Sequence, residues 1–388
     1  MNVEGQLDIQ LTCDASGVSA ATLRSGRPLQ ASRILEGLSP DKALHRLPMI
    51  FSLCGTAQSA AALAACEEAL SITPSKAQRQ ARGMLVWMES AREHLLRILL
   101  DWPGFTGEAV VQDGLPRVMK LLPAMTHALY GDSAPFHLNA ELNVDKAKAK
   151  AVIAELRGMI DALLDGNLPD TGFGMEQWIK RGNTMPARLL GQLRDSGWDR
   201  LGQSKAFFLP TLADAVLHQQ LAADDAEDFI GQPLWQGNAC ETTPLQRQQQ
   251  QPLVRELLQR EGNALLTRLT ARLIELASIP DLLQAGLAAL STADKSSNHR
   301  RVNSGIGLSQ VEAARGRLIH RVEIDDGVIR RYQILAPTEW NFHPQGVAVQ
   351  GLQTLNSSDE EVLQQQAALW LNAIDPCVGY QLQVHHNA

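Results

Sequence analysis

Apolar and polar positions alternate at the start of the chain, through Val3, Leu7, Ile9 and Leu11. A period of two predicts an edge strand or hairpin over residues 1–20. From about Leu29 the period becomes that of a helix, broken at Gly37 and Pro40, with a second helix start near Cys54. Residues 56–70 contain seven alanines, which predicts a small-residue helix that packs close against a neighbour. Residues 78–100 read as a longer helix ended by Asp101-Trp102-Pro103-Gly104. Over residues 145–164, Val152, Ile153, Leu156, Ile160 and Leu163 fall on one helical face, with Gly166 as the stop.

The middle, from Gly166 to about Gln251, has a weaker pattern and more turn residues. Residues 248–251, all Gln before Pro252, read as a polar joint, either a solvated loop or a helix start. Pro252 opens an apolar-periodic helix through Leu253, Leu257, Leu258, Leu265, Leu269 and Leu273. Over residues 319–335 the period returns to two, and Asp325-Asp326-Gly327 supplies the turn of a hairpin. A last helix over residues 360–372 precedes Asp375-Pro376-Cys377. With no internal repeat and no linker, the expectation is one domain over residues 1–388, mainly α (α+β), with a helical core and small β-sheets.

Composition narrows the function classes. A chain of 388 residues, 45% hydrophobic and 20% charged, can bury a large core. A net charge of −7 and no Lys/Arg-rich run argue against nucleic acid as a partner. The opening MNVEGQLDIQ is neither a secretory nor a transit segment, and no apolar stretch approaches the ~18 residues of a membrane span. A cytoplasmic location and no membrane contact are therefore expected. Five cysteines spread over this length do not form a disulfide framework, so thiol or metal chemistry is the more natural use.

Cys54 and Cys377 are the candidates for that chemistry. Gly55-Thr56-Ala57-Gln58 leads from Cys54 into the alanine helix, and Asp375-Pro376 reads as the cap and first residue of another helix. Both positions would favour a thiolate. Two thiolates suit a soft or strong-field metal fragment that brings its remaining ligands with it. Two buried core cysteines would have the same spacing, and the residues alone leave that open.

Three stretches then resemble the signature regions of nickel–iron hydrogenase large subunits. The first runs from Gly37-Leu38-Ser39-Pro40 through Cys54, where the family has an Arg-x-Cys-Gly-x-Cys motif followed by a His. Met49 stands at the Arg position, Phe51 at the first Cys position, and Gln58 at the His position. The second is Glu312-Ala313-Ala314-Arg315-Gly316-Arg317-Leu318-Ile319-His320, followed by Asp326-Gly327, Tyr332 and Pro337-Thr338-Glu339-Trp340-Asn341. It is similar to the family block almost residue for residue, with Ala314 replacing a proline. The third is Asp375-Pro376-Cys377, with Tyr380 and Gln383 at the second Cys and the His positions.

The resemblance implies a hydrogenase large-subunit-like fold and a dismantled nickel side. One bridging-type cysteine (Cys54) and one terminal-type cysteine (Cys377) remain, while aromatic rings stand at two vacated positions. No nickel is expected. Ser32 occupies the position of the family's proton-relay Glu, with Leu29 at the Arg ahead of it, so catalysis is not expected. The iron side is kept: Arg315 and Thr338 stand where the family hydrogen-bonds two cyanides, and Leu318 where it packs beside a carbonyl.

This pattern resembles the HupK/HoxV group of hydrogenase accessory proteins. It implies a non-catalytic scaffold that holds Fe(CN)2(CO) transiently on Cys54 and Cys377. The implied partners are hydrogenase maturation proteins and the large-subunit precursor. The chain ends five residues past Gln383, without the C-terminal tail that a protease removes from family precursors, as expected of a chain that never receives nickel. Two other readings are a metal-free chaperone or interaction protein and a divergent enzyme at a mononuclear site. Retention of both cysteines with Arg315 speaks against the first, and no relay or electron-entry motif supports the second. Cys13, Cys66 and Cys240 read as core residues, and His385-His386 as a solvated tail that could also reach a held metal. Trp340 and Asn341 read as supports for the loop carrying Thr338, and His320 as a neighbour of the site rather than a ligand.

Overall fold

The computed structural model describes residues 5–14, 17–51, 54–110, 112–138, 140–290 and 302–386, so Val3 lies outside the described residues. Strands β1 (Gln6–Asp14) and β2 (Gly17–Ser25) form the expected hairpin, with Leu7, Ile9, Leu11 and Cys13 buried along one face of β1. Helices α1 (Pro40–Ile50), α2 (Gly55–Ala69) and α3 (Lys76–Leu100) follow. The Ser75 hydroxyl accepts from the Gln78 amide and the Gln78 side chain accepts from Ser75, so α3 starts on a capping box. Next come α4 (Trp102–Thr106), α5 (Leu115–Tyr130) and α6 (Lys146–Leu164).

The weakly patterned middle is more ordered than the sequence predicts. It holds α7 (Gly172–Arg181), α8 (Met185–Asp195), α9 (Asp214–Ala222), α10 (Ala226–Gly231) and α11 (Pro244–Gln248). Strands β3 (Phe207–Phe208), β4 (Leu234–Trp235) and β5 (Asn238–Glu241) form a small sheet among them. These helices are short, so their periodicity has too few turns to register. Pro252 does open a helix, but the predicted run to Leu273 is two elements. Gly262, at φ 72°, ends α12 (Pro252–Glu261), and α13 (Leu265–Ala289) begins afresh.

Strands β6 (Gly305–Ala313), β7 (Gly316–Asp325) and β8 (Val328–Leu335) make an antiparallel sheet with the predicted turn at Asp326-Gly327. Helices α14 (Pro337–Asn341), α15 (Val347–Leu352) and α16 (Glu360–Ile374) follow, and β9 (Gly379–His386) closes the chain. Among the described residues the fold is mainly helical with three small sheets, each of three strands.

Two expectations at the ends are corrected. The N-terminal strand is central rather than at an edge, because β9 pairs parallel with β1 in the order β2-β1-β9. Asp375 does not start a helix. It stops α16 in the left-handed region (φ 69°), and the chain passes through Cys377 into β9. His385 and His386 consequently sit in a strand opposite Thr12 and Cys13, exposed, with His386 Nε2 3.7 Å from Glu360.

The 25-residue helices α3 and α13 pack together with α5 and α6 in the largest apolar core. The alanine face of α2 lets the β6–β8 sheet lie directly on it. Leu308 N donates to Glu68 (2.7 Å) and the Ser309 hydroxyl to the Ala61 carbonyl (2.6 Å). A Cβ on Gly307 would stand 1.9 Å from the Ala65 carbonyl oxygen, so only glycine permits this approach. No described helix is long and apolar enough to cross a membrane.

Gly307→Ala is therefore expected to cost about 1–3 kcal/mol or more in urea unfolding. Gly83→Ala, within α3 where an added Cβ meets nothing within 4 Å, should raise stability by about 0.5–1 kcal/mol.

Candidate functional site

Arg315 occupies the tight connection between β6 and β7, and its backbone is held on both sides. The Ala314 carbonyl accepts from Arg247 (2.9 Å), whose guanidinium also grips Glu275 at 2.6 and 2.7 Å. The Arg315 carbonyl accepts from the Asn341 amide (3.0 Å), and Asn341 Oδ1 accepts from Thr242 N (2.8 Å). Gly316 has φ 134°, and a Cβ there would meet the Thr242 carbonyl oxygen at 1.8 Å. Glycine at 316 is thus a steric requirement of this turn.

The guanidinium of Arg315 donates through Nε to Asp375 (3.1 Å) and through Nη2 to Glu93 (3.1 Å). Its Nη1 is buried without a protein partner. Asp375 also receives Arg97 from α3 (2.5 Å) and Arg272 from α13 (3.1 Å). Three guanidiniums hold the Asp375 carboxyl well below the usual carboxylate range despite its burial.

Cys54 caps α2, as its sequence context predicts. The helix N–H groups that would stabilise a thiolate are taken, however. Glu89 accepts from Thr56 N (2.8 Å) and Ala57 N (2.9 Å). The Cys54 thiol instead donates to Cys377, and that bond together with burial pushes its pKa well up. Cys377 moves the other way, from 9.0 to about 6, because it accepts from Cys54, faces Arg315 and Arg27, and accepts from the Thr338 hydroxyl. The expectation of two thiolates at two helix starts is therefore corrected to a thiol–thiolate pair. One member is at a helix start, the other between a helix end and a strand.

A chain of donors leads to this pair. His320, pushed down to about 3 by burial, is neutral. Its Nδ1 is 2.9 Å from the Tyr332 hydroxyl and its Nε2 is 2.8 Å from Gln58 Oε1. That contact turns the Gln58 amide so that Nε2 donates to Cys54 Sγ at 3.7 Å. Gln58, at the family's His position, is thus a hydrogen-bond donor to the cysteine.

Cys54, Cys377, Arg315 and Leu318 line one cavity of about 40 Å³, with Phe51, Gln58, Arg27 and otherwise small apolar walls. It has room for roughly three water-sized groups. Thr338 reaches the site through its bond to Cys377. All five sequence-derived site residues therefore meet at one place. Phe51 fills its vacated position as expected, but Tyr380 does not, since it is 38% exposed. In an extended strand three residues span roughly 10 Å, so position 380 is carried away from Cys377. The Ser32 hydroxyl donates to the Tyr332 carbonyl (2.8 Å) and does not line the cavity. Arg315 pairs with Asp375 and Glu93, while Glu312 pairs with Arg317 and Arg247.

Sequence reasoning missed Arg27, Glu89, and the ionic role of Asp375. Asp375 stood within a recognised motif, but nothing in the local pattern distinguishes a cap from a buried counter-ion. Cys13, Cys66 and Cys240 are buried as read. Among the described residues no group of three or more His, Cys, Asp or Glu could hold a metal. The donor set is two sulfurs with a buried, unpartnered Arg nitrogen. It fits a metal fragment that carries its own anionic ligands and does not fit a bare ion needing four protein ligands.

Comparisons with known proteins bear on the family and the fold. The family described as nickel-dependent hydrogenase matches residues 210–351. The hydrogenase expression/formation protein HupK of Azotobacter vinelandii is 31% identical, covering 98% of this chain and 99% of its own. HupV of Azotobacter chroococcum mcd 1 is 29% identical over the same shares of the two chains. The nickel–iron–selenium hydrogenase of Dm. baculatum superposes with a TM-score of 0.70 over 97% of both chains at 16% identity, a likeness of fold.

Two outcomes follow from the geometry. Cys377 has a folded pKa below its unfolded one, so the stability it contributes is complete above pH 9.0 and is lost as pH falls through about 6. In reduced, metal-free protein, thiolate ultraviolet absorbance should show a transition near about 6 that Cys377→Ala abolishes and Cys54→Ala moves upward. Asp375→Asn, which removes the carboxylate shared by Arg97, Arg272 and Arg315 and leaves Arg272 without an acidic partner, should cost about 3–5 kcal/mol in chemical denaturation.

Proposed function

Because the chain belongs to the HupK/HoxV family of hydrogenase expression/formation proteins, we propose that its cysteine cavity carries an Fe(CN)2(CO) fragment as cargo during hydrogenase cofactor assembly. A role in hydrogenase formation goes with the family. The cargo, and its hand-over to the large-subunit precursor, are the finer reading. The proposed partners are the maturation proteins that deliver the fragment and the precursor that receives it.

One observation carries the reading: a thiol–thiolate pair faces the Arg315 guanidinium, whose Nη1 is buried with no protein acceptor. A buried donor of this kind costs free energy unless something fills the cavity and accepts from it. A cyanide nitrogen is an anionic acceptor of suitable size. In the proposed complex Cys54 and Cys377 ligate the iron, Arg315 and Thr338 bond the two cyanides, and Leu318 packs beside the carbonyl. The Cys54 proton must leave when iron arrives, so loading releases a proton. The scaffold is non-catalytic on this reading, since Ser32 is bonded to a backbone carbonyl where the family's relay carboxylate would stand.

Infrared spectroscopy tests this on protein purified anaerobically from cells with intact maturation genes. Wild type should show cyanide and carbonyl stretching bands, lost in both Cys54→Ala and Cys377→Ala. Arg315→Lys and Thr338→Val should move the cyanide bands more than the carbonyl band. Iron-free wild-type protein without such bands would sink the cargo reading and favour a metal-free chaperone.

A further inference from the structure

The cysteine cavity has a neighbour. A groove of about 930 Å³ lies beside it, lined by Leu29, Phe229, Leu234, Thr338, Glu339 and Phe342 among others. Arg27 belongs to the walls of both, and to a small cavity of about 20 Å³ between them. On one side its guanidinium acts on the Cys377 thiolate. On the other, Nη1 stands 3.0 Å from Glu339 Oε1, with the two side chains only 14% and 6% exposed. Glu339 is itself anchored, because its second oxygen accepts from Ala336 N at 2.9 Å. Glu339 also directly follows Thr338, whose hydroxyl touches Cys377. Arg27 is the lining residue that groove, small cavity and cysteine cavity share, and its side chain is latched to a fixed carboxylate.

We propose that Arg27 is the gate and charge filter of the cysteine cavity: its guanidinium leaves Glu339 to admit a small anionic species from the groove and closes over it. This rests on the reading that the cavity receives cargo from outside. An Arg side chain changes rotamer, releasing Glu339, on a timescale far shorter than that of a domain motion. The groove also carries Asp225, Glu227 and Asp228 beside Arg24, so selection for anions over neutral molecules of the same size falls at Arg27, where groove and cavity share a wall. Arg315 lies deeper and holds what has entered, whereas Arg27 determines what enters.

Alkylation of Cys377 in reduced, metal-free full-length protein reads the gate directly, with iodoacetate as the anionic probe and iodoacetamide as the neutral one. In both, the sulfur–carbon bond forms as iodide leaves. The wild-type iodoacetate-to-iodoacetamide rate ratio at Cys377 should exceed that of the urea-unfolded chain. Arg27→Met should speed the neutral reagent about tenfold and lower the ratio at least about threefold. Glu339→Gln, which frees the latch but keeps the charge, should speed both reagents and preserve the ratio. Rates and ratio within about twofold of wild type in Arg27→Met would overturn the proposal. If that variant does not fold, unchanged rates in Glu339→Gln would overturn it equally. Because the labelling needs no iron, missing infrared bands would defeat the cargo reading and leave these rates untouched. Conversely, unaltered rates would defeat the gate with the bands intact.

Discussion

The buried carboxylate of Asp375 is the point on which the site depends. It draws together Arg97 from α3, Arg272 from α13 and Arg315 from the β6–β7 turn. Arg272 also donates to the Asn372 and Ala373 carbonyls, closing the end of α16. Removing four charges from water is expensive, and the cost is offset only when every partner is in position. Once they are, the orientation of Arg315 is fixed, and so is the chain two residues later at Cys377. A packing solution for helix ends thereby also aims a guanidinium and a thiolate at one small cavity.

The asymmetry of the two cysteines follows from competition for the same helix end. Glu89 occupies the free N–H groups at the start of α2, so Cys54 keeps its proton and gives it to a hydrogen bond with Cys377. Tyr332, His320 and Gln58 extend that polarised chain behind Cys54. Each member is buried, so the direction of donation is set by the neutral His320 and is not renegotiated by water.

Much of this was legible in the amino-acid order, and for physical reasons. The alanine run of α2, the alternation of β7 and β8, and the amphipathic α6 are local patterns, and they produced the elements expected. Cys54, Arg315, Leu318, Thr338 and Cys377 were found through motif resemblance, and all five reach one site. Asp375-Pro376 was misread because an Asp before a Pro serves a helix start and a helix stop equally well. The choice is made by partners 60, 103 and 278 residues away. Arg27 and Glu89 were invisible for the same reason, since each acts on a segment remote in sequence. The short helices of the middle were missed because a few turns of weak amphipathicity cannot be told from a loop.

The parallel pairing of β1 with β9 joins residues 6–14 to residues 379–386, a contact spanning nearly the entire chain. Such a contact forms late, because its loop-closure entropy is repaid only after the intervening helices have condensed. At ~5–20 residues per second of synthesis, the first strand waits tens of seconds for its partner to emerge from the ribosome. Cys377 lies just ahead of that partner, so a nascent chain displays Cys54 but has no complete cavity. The cavity is thus completed only once residues 377–386 have been made and paired with the first strand.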